Sequence, residues 1–228
     1  MSRRLLILLC VLAGMIALGW IALRRSDLVS HRAGSNGVIV EKQEEDFASR
    51  TFDPANPPAD MPPMSPGEAA VCDSNFTSGV NVSSDMQDSD STHEIVTITQ
   101  IRVTLGLKIT IWLPAGAAQH VIEHEDGHRQ IAEFYYREAG NIVQRIAAGY
   151  IGKQETVSAT DMTGQADAWL QQMGKEISDE YNRELNPDPA QQRYDLITDY
   201  SRNGMAAADA VEQVLKDVAG APGTNPGN

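Results

Sequence analysis

Residues 117–149 read AAQHVIEHEDGHRQIAEFYYREAGNIVQRIAAG. At 100° per residue from Val121, the side chains of Ile131, Tyr135, Ala139, Ile142, Val143 and Ile146 share one stripe about 120° wide, as in a long helix with one buried face. His124, Glu125 and His128 fall inside the same stripe. Burying an ionised glutamate among core residues is costly without a partner, so these three polar groups call for one.

His124-Glu125-Asp126-Gly127-His128 fits the pattern H-E-x-x-H. Two histidines at i and i+4 lie one above the other on a helix, and both imidazoles can reach a single zinc ion. Glu125, one residue round, reaches a water on that metal. As general base it takes the proton, and the zinc-activated water attacks a polarised carbonyl. His120 repeats the spacing but lies about 12 Å along the axis from His128, so it reads as a helix-start residue. Gly127 costs up to about 1 kcal/mol relative to alanine, so it either makes room for a neighbouring backbone or is tolerated without benefit.

A zinc site needs a third protein ligand. The metzincin arrangement would place a histidine six residues after His128, where Phe134 stands. A second helix is expected over Thr163–Leu185, with Ala166, Trp169, Leu170, Met173, Ile177 and Tyr181 on one face. Glu180 and Glu184 project within that face, either as ligand and supporting carboxylate or as partly exposed acids near the helix end.

Before the long helix, Glu94–Leu113 alternates in the strand period and is interrupted at Gly106, which reads as an antiparallel hairpin. Pro114 and Gly116 then end the strand. Beyond the second helix, Pro187 and Pro189 mark a break. A third helix is expected through Tyr194 towards Tyr200, and a last amphipathic stretch over Met205–Val218. The acidic run Asp85–Asp90 reads as a solvated loop. The fold class expected is α+β, a small antiparallel sheet followed by three to four helices, the first long one carrying the motif.

The chain ends divide differently. Residues 1–33 carry five arginines and one aspartate, whereas the whole chain of 228 residues carries 18 basic and 31 acidic side chains, net −13. No basic face is available for phosphate, which excludes nucleic acid as a partner. Leu5–Leu23 is 19 uncharged residues, long enough to span about 28 Å as a helix, so residues 1–25 read as an uncleaved amino-terminal membrane anchor or, as the alternative, a signal peptide whose cleavage would leave the protein secreted. The expected location is the cell membrane, single-pass, with the domain on the extracytoplasmic side. Residues 51–66 hold six of eleven prolines, and 26–66 reads as a proline-rich acidic linker. The domain is then expected over 67–218, with a disordered tail over 219–228. Cys10 and Cys72 are too few for a disulfide scaffold or a four-cysteine zinc module.

Val121–Ala139, VIEHEDGHRQIAEFYYREA, resembles the core of the bacterial predicted secreted zinc-dependent proteases, the domain of unknown function family 922. That family pairs H-E-x-x-H with a downstream Tyr-Asp-x-x-Thr-x-His-Gly segment. Tyr194, Asp195 and Thr198 match the latter, while Tyr200 and Ser201 stand at its histidine and glycine. The resemblance implies a zincin-like fold, a Zn2+ cofactor held by His124 and His128, catalysis by Glu125, and hydrolysis of peptide or protein substrates. If the family's histidine is a ligand, its place falls here to Tyr200, to Asp195 or to Glu180, or the chain binds zinc weakly. Two other functions stand beside the metallopeptidase: a non-catalytic zincin-like binding or assembly module, and a metal-dependent hydrolase of cell-wall amides.

Overall fold

The computed structural model describes residues 29–31, 37–158 and 160–220. The anchor or signal expected over 1–25 and most of the tail expected over 219–228 lie outside the described residues. No helix among the described residues is long and apolar enough to cross a membrane.

Six strands and four helices follow in order: β1 Val29–His31, β2 Val38–Lys42, β3 Asp46–Phe52, β4 Val71–Asp88, β5 His93–Pro114, α1 Gln119–Ala148, β6 Gln154–Ser158, α2 Met162–Glu184, α3 Asp188–Thr198 and α4 Ala207–Gly220. The class is α+β. The sheet is mixed rather than antiparallel: β1 with β2, β4 with β5 and β5 with β6 are antiparallel, but β2 and β3 run parallel to β5. All the parallel pairing comes from the stretch expected to be linker. Residues 38–42 and 46–52 pair in line along one edge of β5, at 101–105 and 108–114.

β5 is a single strand of 22 residues, not a hairpin turning at Gly106. Gly106 is a point of close approach, where a Cβ would stand 2.7 Å from Thr77 Oγ1 and 3.0 Å from Gln43 Oε1. The true hairpin partner is β4, with the turn at residues 89–92, so Asp85–Asp88 belong to a strand and not to the expected loop. Ser83 pairs with Gln100 and Ser84 with Ile98, which leaves Thr99 as an extra residue in β5. This bulge reverses the inward parity, from Val96 and Ile98 before it to Ile101, Val103, Leu105, Leu107 and Ile109 after it.

α1 lies across the inward face of the sheet, where Ala132, Tyr136, Ala139, Ile142, Val143 and Ile146 join the strand residues in one core. The Tyr136 hydroxyl donates to the carbonyl of Gln43 at 2.8 Å, tying the helix to the end of β2. α2 packs against β4 and α1, adding Ile177 and Tyr181 to the same core. α3 and α4 form a second core on the first half of α1, where Ile131 meets Ala190, Tyr194, Ala210, Val211 and Val214. This second core brings α3 against the H-E-x-x-H segment.

Candidate metal centre

His124 and His128 leave α1 on its buried side and meet Asp195 from α3, the three offering ligand atoms within 4.8 Å of one another. The two Nε2 atoms are 3.3 Å apart. Asp195 Oδ1 stands 3.3 Å from Nε2 of His124 and 2.9 Å from Nε2 of His128. Two donors each about 2.1 Å from one tetrahedral ion lie about 3.4 Å apart, so the spacing and the chemistry of this set both fit zinc. Among the described residues no other group of three His, Cys, Asp or Glu side chains is so placed.

The helix face that delivers Asp195 also delivers three further contacts. Tyr194 stacks on the His124 ring at 4.9 Å and meets the His128 ring edge-on at 4.8 Å. Thr198 Oγ1 lies 3.3 Å from His124 Nδ1, and Gln191 Oε1 lies 2.6 Å from His128 Nδ1. Positions 191, 194, 195 and 198 are spaced i, i+3, i+4 and i+7, one stripe of a helix. Gln191 escapes notice in the sequence because a glutamine carries no ligand signal and its contact spans 63 positions of chain.

Gly127 makes room for a side chain, not for a backbone. A Cβ on it would stand 2.1 Å from Tyr194 Oη and 2.5 Å from Cζ. The tyrosine ring can lie against both histidines only because that side of α1 is bare.

Glu125 is 3% exposed and lies beside Cys72, at the start of β4. Burial pushes its carboxyl up to about 7, His128 pulling the other way and Glu68 and Asp195 adding to the rise. For Asp195 burial acts upward too, but the bonds to His124 and His128 prevail and hold it down at about 2. Burial lowers the His128 imidazole, yet the bond and charge of Asp195 carry it above its ordinary value. Burial also raises the Cys72 thiol, which stays protonated.

Of the three candidates for the third ligand, Asp195 is the one that reaches both histidines. Glu180 lies on α2 beside Tyr150, with Glu184 paired to Arg145. Tyr200 follows the end of α3, its ring 5.5 Å from the Arg202 guanidinium. His120 is exposed at the start of α1. No protein family, curated protein or solved structure matches the chain.

Proposed function

We propose that the chain is a zinc-dependent metallopeptidase of zincin-like plan, with His124, His128 and Asp195 holding the ion and Glu125 as general base. The observation that carries this reading is the meeting of both motif histidines with Asp195 while Glu125 is buried beside them. Zinc in such a set supplies Lewis acidity, polarising a carbonyl and acidifying water.

The protein's own share is proton handling and alignment. A carboxyl near 7 accepts a proton from an attacking water and returns it to a leaving nitrogen at neutral pH. β4 bonds to β5 along the inner of its two edges, and Glu125 lies beside its first residues. No strand pairs with this outer edge of β4 among the described residues. Farther along, α2 approaches the edge closely, a Cβ on Gly174 standing 3.7 Å from the Val80 carbonyl oxygen. The stretch from Cys72 to Ser78 is therefore the part of the edge on which an extended peptide adds as a strand. The uncharged run Leu5–Leu23 supports placing this activity at the membrane, on its extracytoplasmic side.

The test is zinc content by mass spectrometry together with cleavage of casein and a mixed peptide library. Metal-dependent cleavage that Glu125→Gln abolishes while keeping its zinc supports the peptidase. One zinc per chain with no turnover on any peptide sinks it in favour of a binding module, and turnover of cell-wall amides alone sinks it in favour of an amidase.

A further inference from the structure

We propose that Glu68 is a specificity-determining residue, and that the peptide taken into this cleft carries a lysine or arginine within two residues of the bond to be cut. The inference rests on the peptidase reading above and names the class of substrate that the site selects.

The free edge of β4 is bounded at both ends. Towards its middle α2 stands against Val80. Before its first residue the chain makes a turn, Ser65–Glu68, in which the Glu68 N–H donates to the Ser65 carbonyl at 3.1 Å. That turn reaches across to the end of α3. A Cβ on Gly67 would stand 3.4 Å from a guanidinium nitrogen of Arg202, four residues beyond the Thr198 that touches His124. Glu68 thus sits between the strand and the helix that border the metal ligands, four residues before Cys72. Burial leads the rise of the Glu125 carboxyl and Glu68 adds to it, so the charge of Glu68 reaches the catalytic end of the cleft.

That charge has no partner of its own. Glu68 Oε2 accepts from the Ser65 N–H at 2.5 Å, and among the described residues no basic side chain forms an ion pair with it. Arg202, beside the turn, is taken by Asp199, bonding its carbonyl at 3.0 Å and its carboxylate at 2.7 Å. Arg129 is held by Asp126 and Glu133. The other acids near the motif are in use as well: Asp195 faces both histidines, Glu125 is the base, and Asp126 answers Arg129 and Gln130. An extended peptide lying along Cys72–Ser78 runs on past the start of β4 towards Glu68. The four residues from Cys72 to Glu68 span at most about 13 Å, a gap that one or two further peptide residues and a lysine or arginine stem can cross. An acidic side chain at the same place meets like charge, and the discrimination comes from attraction and repulsion together.

The experiment gives the zinc-loaded full chain a set of peptides with lysine, arginine, glutamine or glutamate at each position around the cut, and reads kcat and KM for each. Binding of the same peptides to the Glu125→Gln protein is measured in parallel by fluorescence anisotropy, which needs no turnover. Wild type should favour lysine or arginine over glutamate by about 10-fold at one position within two residues of the cut, chiefly through KM, and less so at high salt. Glu68→Gln should bring the preference within about two-fold with zinc content unchanged, and Glu68→Lys should invert it, which loss of a merely structural role would not do. Glu155→Gln removes the same charge from exposed β6 and should leave the preference intact. Absence of any charge preference in the wild type overturns the proposal whether or not the variants fold, and so does a preference that Glu68→Lys leaves unchanged. A protein that cleaves nothing, yet binds the lysine peptide with a preference that Glu68→Lys inverts, upholds Glu68 as the selecting residue and sinks the peptidase reading alone. Zinc-dependent cleavage blind to charge does the reverse.

Discussion

Helix α1 is flanked by two helices that each bring acids to it, and the two seams behave differently. Against α2 the polar meeting is Arg145 with Glu184, an ion pair whose side chains are 55% and 34% exposed. Against α3 it is His124 and His128 with Asp195, whose side chains are 6%, 13% and 19% exposed. The first pair is complete and contributes at most about 1 kcal/mol. In the second, the outer nitrogen of each imidazole is already committed to Thr198 or Gln191, and the inner ones confront a carboxylate. A ligand acid is recognised here by the two buried histidines it joins, more than by its being an acid on a neighbouring helix.

The comparison breaks most completely at the acids themselves. Asp195→Ala should abolish zinc binding and every zinc-dependent activity, whereas Glu180→Ala, on the α2 side, should leave zinc affinity within about two-fold; chelator competition on both variants decides. Glu125→Gln should lower kcat by about 100- to 10,000-fold with zinc content unchanged, as metal analysis beside steady-state kinetics will show.

Gly127→Ala sharpens the contrast through packing. In most helices the exchange stabilises by about 1 kcal/mol. Here the new methyl meets the Tyr194 hydroxyl at 2.1 Å, and the expected outcome is a loss of about 2 kcal/mol, read as a fall of about 4 to 8 °C in Tm. Tyr194→Phe should recover part of it, since the hydroxyl is the nearest atom and has no hydrogen-bond partner of its own.

Without zinc, the α3 seam should also impose a pH dependence that the α2 seam does not. Glu125, at about 7, and His128 are both raised in the fold. Their stabilisation is present below their unfolded values of about 4.3 and 6.5 and is lost as pH rises through the folded ones. Asp195, at about 2, acts oppositely, contributing above its unfolded value of about 3.9 and failing as pH falls towards the folded one. The zinc-free protein should be most stable near pH 4 and lose about 3 kcal/mol by pH 8. Excess zinc should invert the slope, because it takes deprotonated ligands. Denaturation curves with chelator or with zinc distinguish the two.

The smallest effect is expected just past α3. Asp199, Tyr200 and Ser201 all have left-handed backbones, with φ of 47°, 53° and 68°. Ser201→Gly should stabilise by up to about 1 kcal/mol, seen as a small rise in Tm, since glycine adopts that region without a steric penalty.

The helices were legible because their apolar stripes are long: α1, α2 and α3 begin and end within two residues of where periodicity and proline place them. The sheet was not. The Thr99 bulge changes the inward parity of β5 in mid-strand, and Gly106, read as a turn, is a point of close approach. β2 and β3 bury only Val38, Val40 and Phe52 among their own residues, too little apolar pattern to stand out from a polar segment. At the site, His124, Glu125 and His128 were visible from spacing alone. Asp195 stood among three candidates, because the choice depends on which helix the second core presses against α1. Gln191 lay beyond reach for the same reason, its part being fixed by a distance across 63 positions of chain.

β5 is the strand to which β2, β3, β4 and β6 all bond, and only β1 attaches elsewhere. The sheet is therefore built on the β4–β5 hairpin, which β2, β3 and β6 join at β5. Folding must wait for a 22-residue strand to collect partners from both earlier and later in the chain, a high contact order that predicts slow folding. Once assembled, the same strand is shielded on both edges, and its central amides should be the last in the molecule to exchange with deuterium.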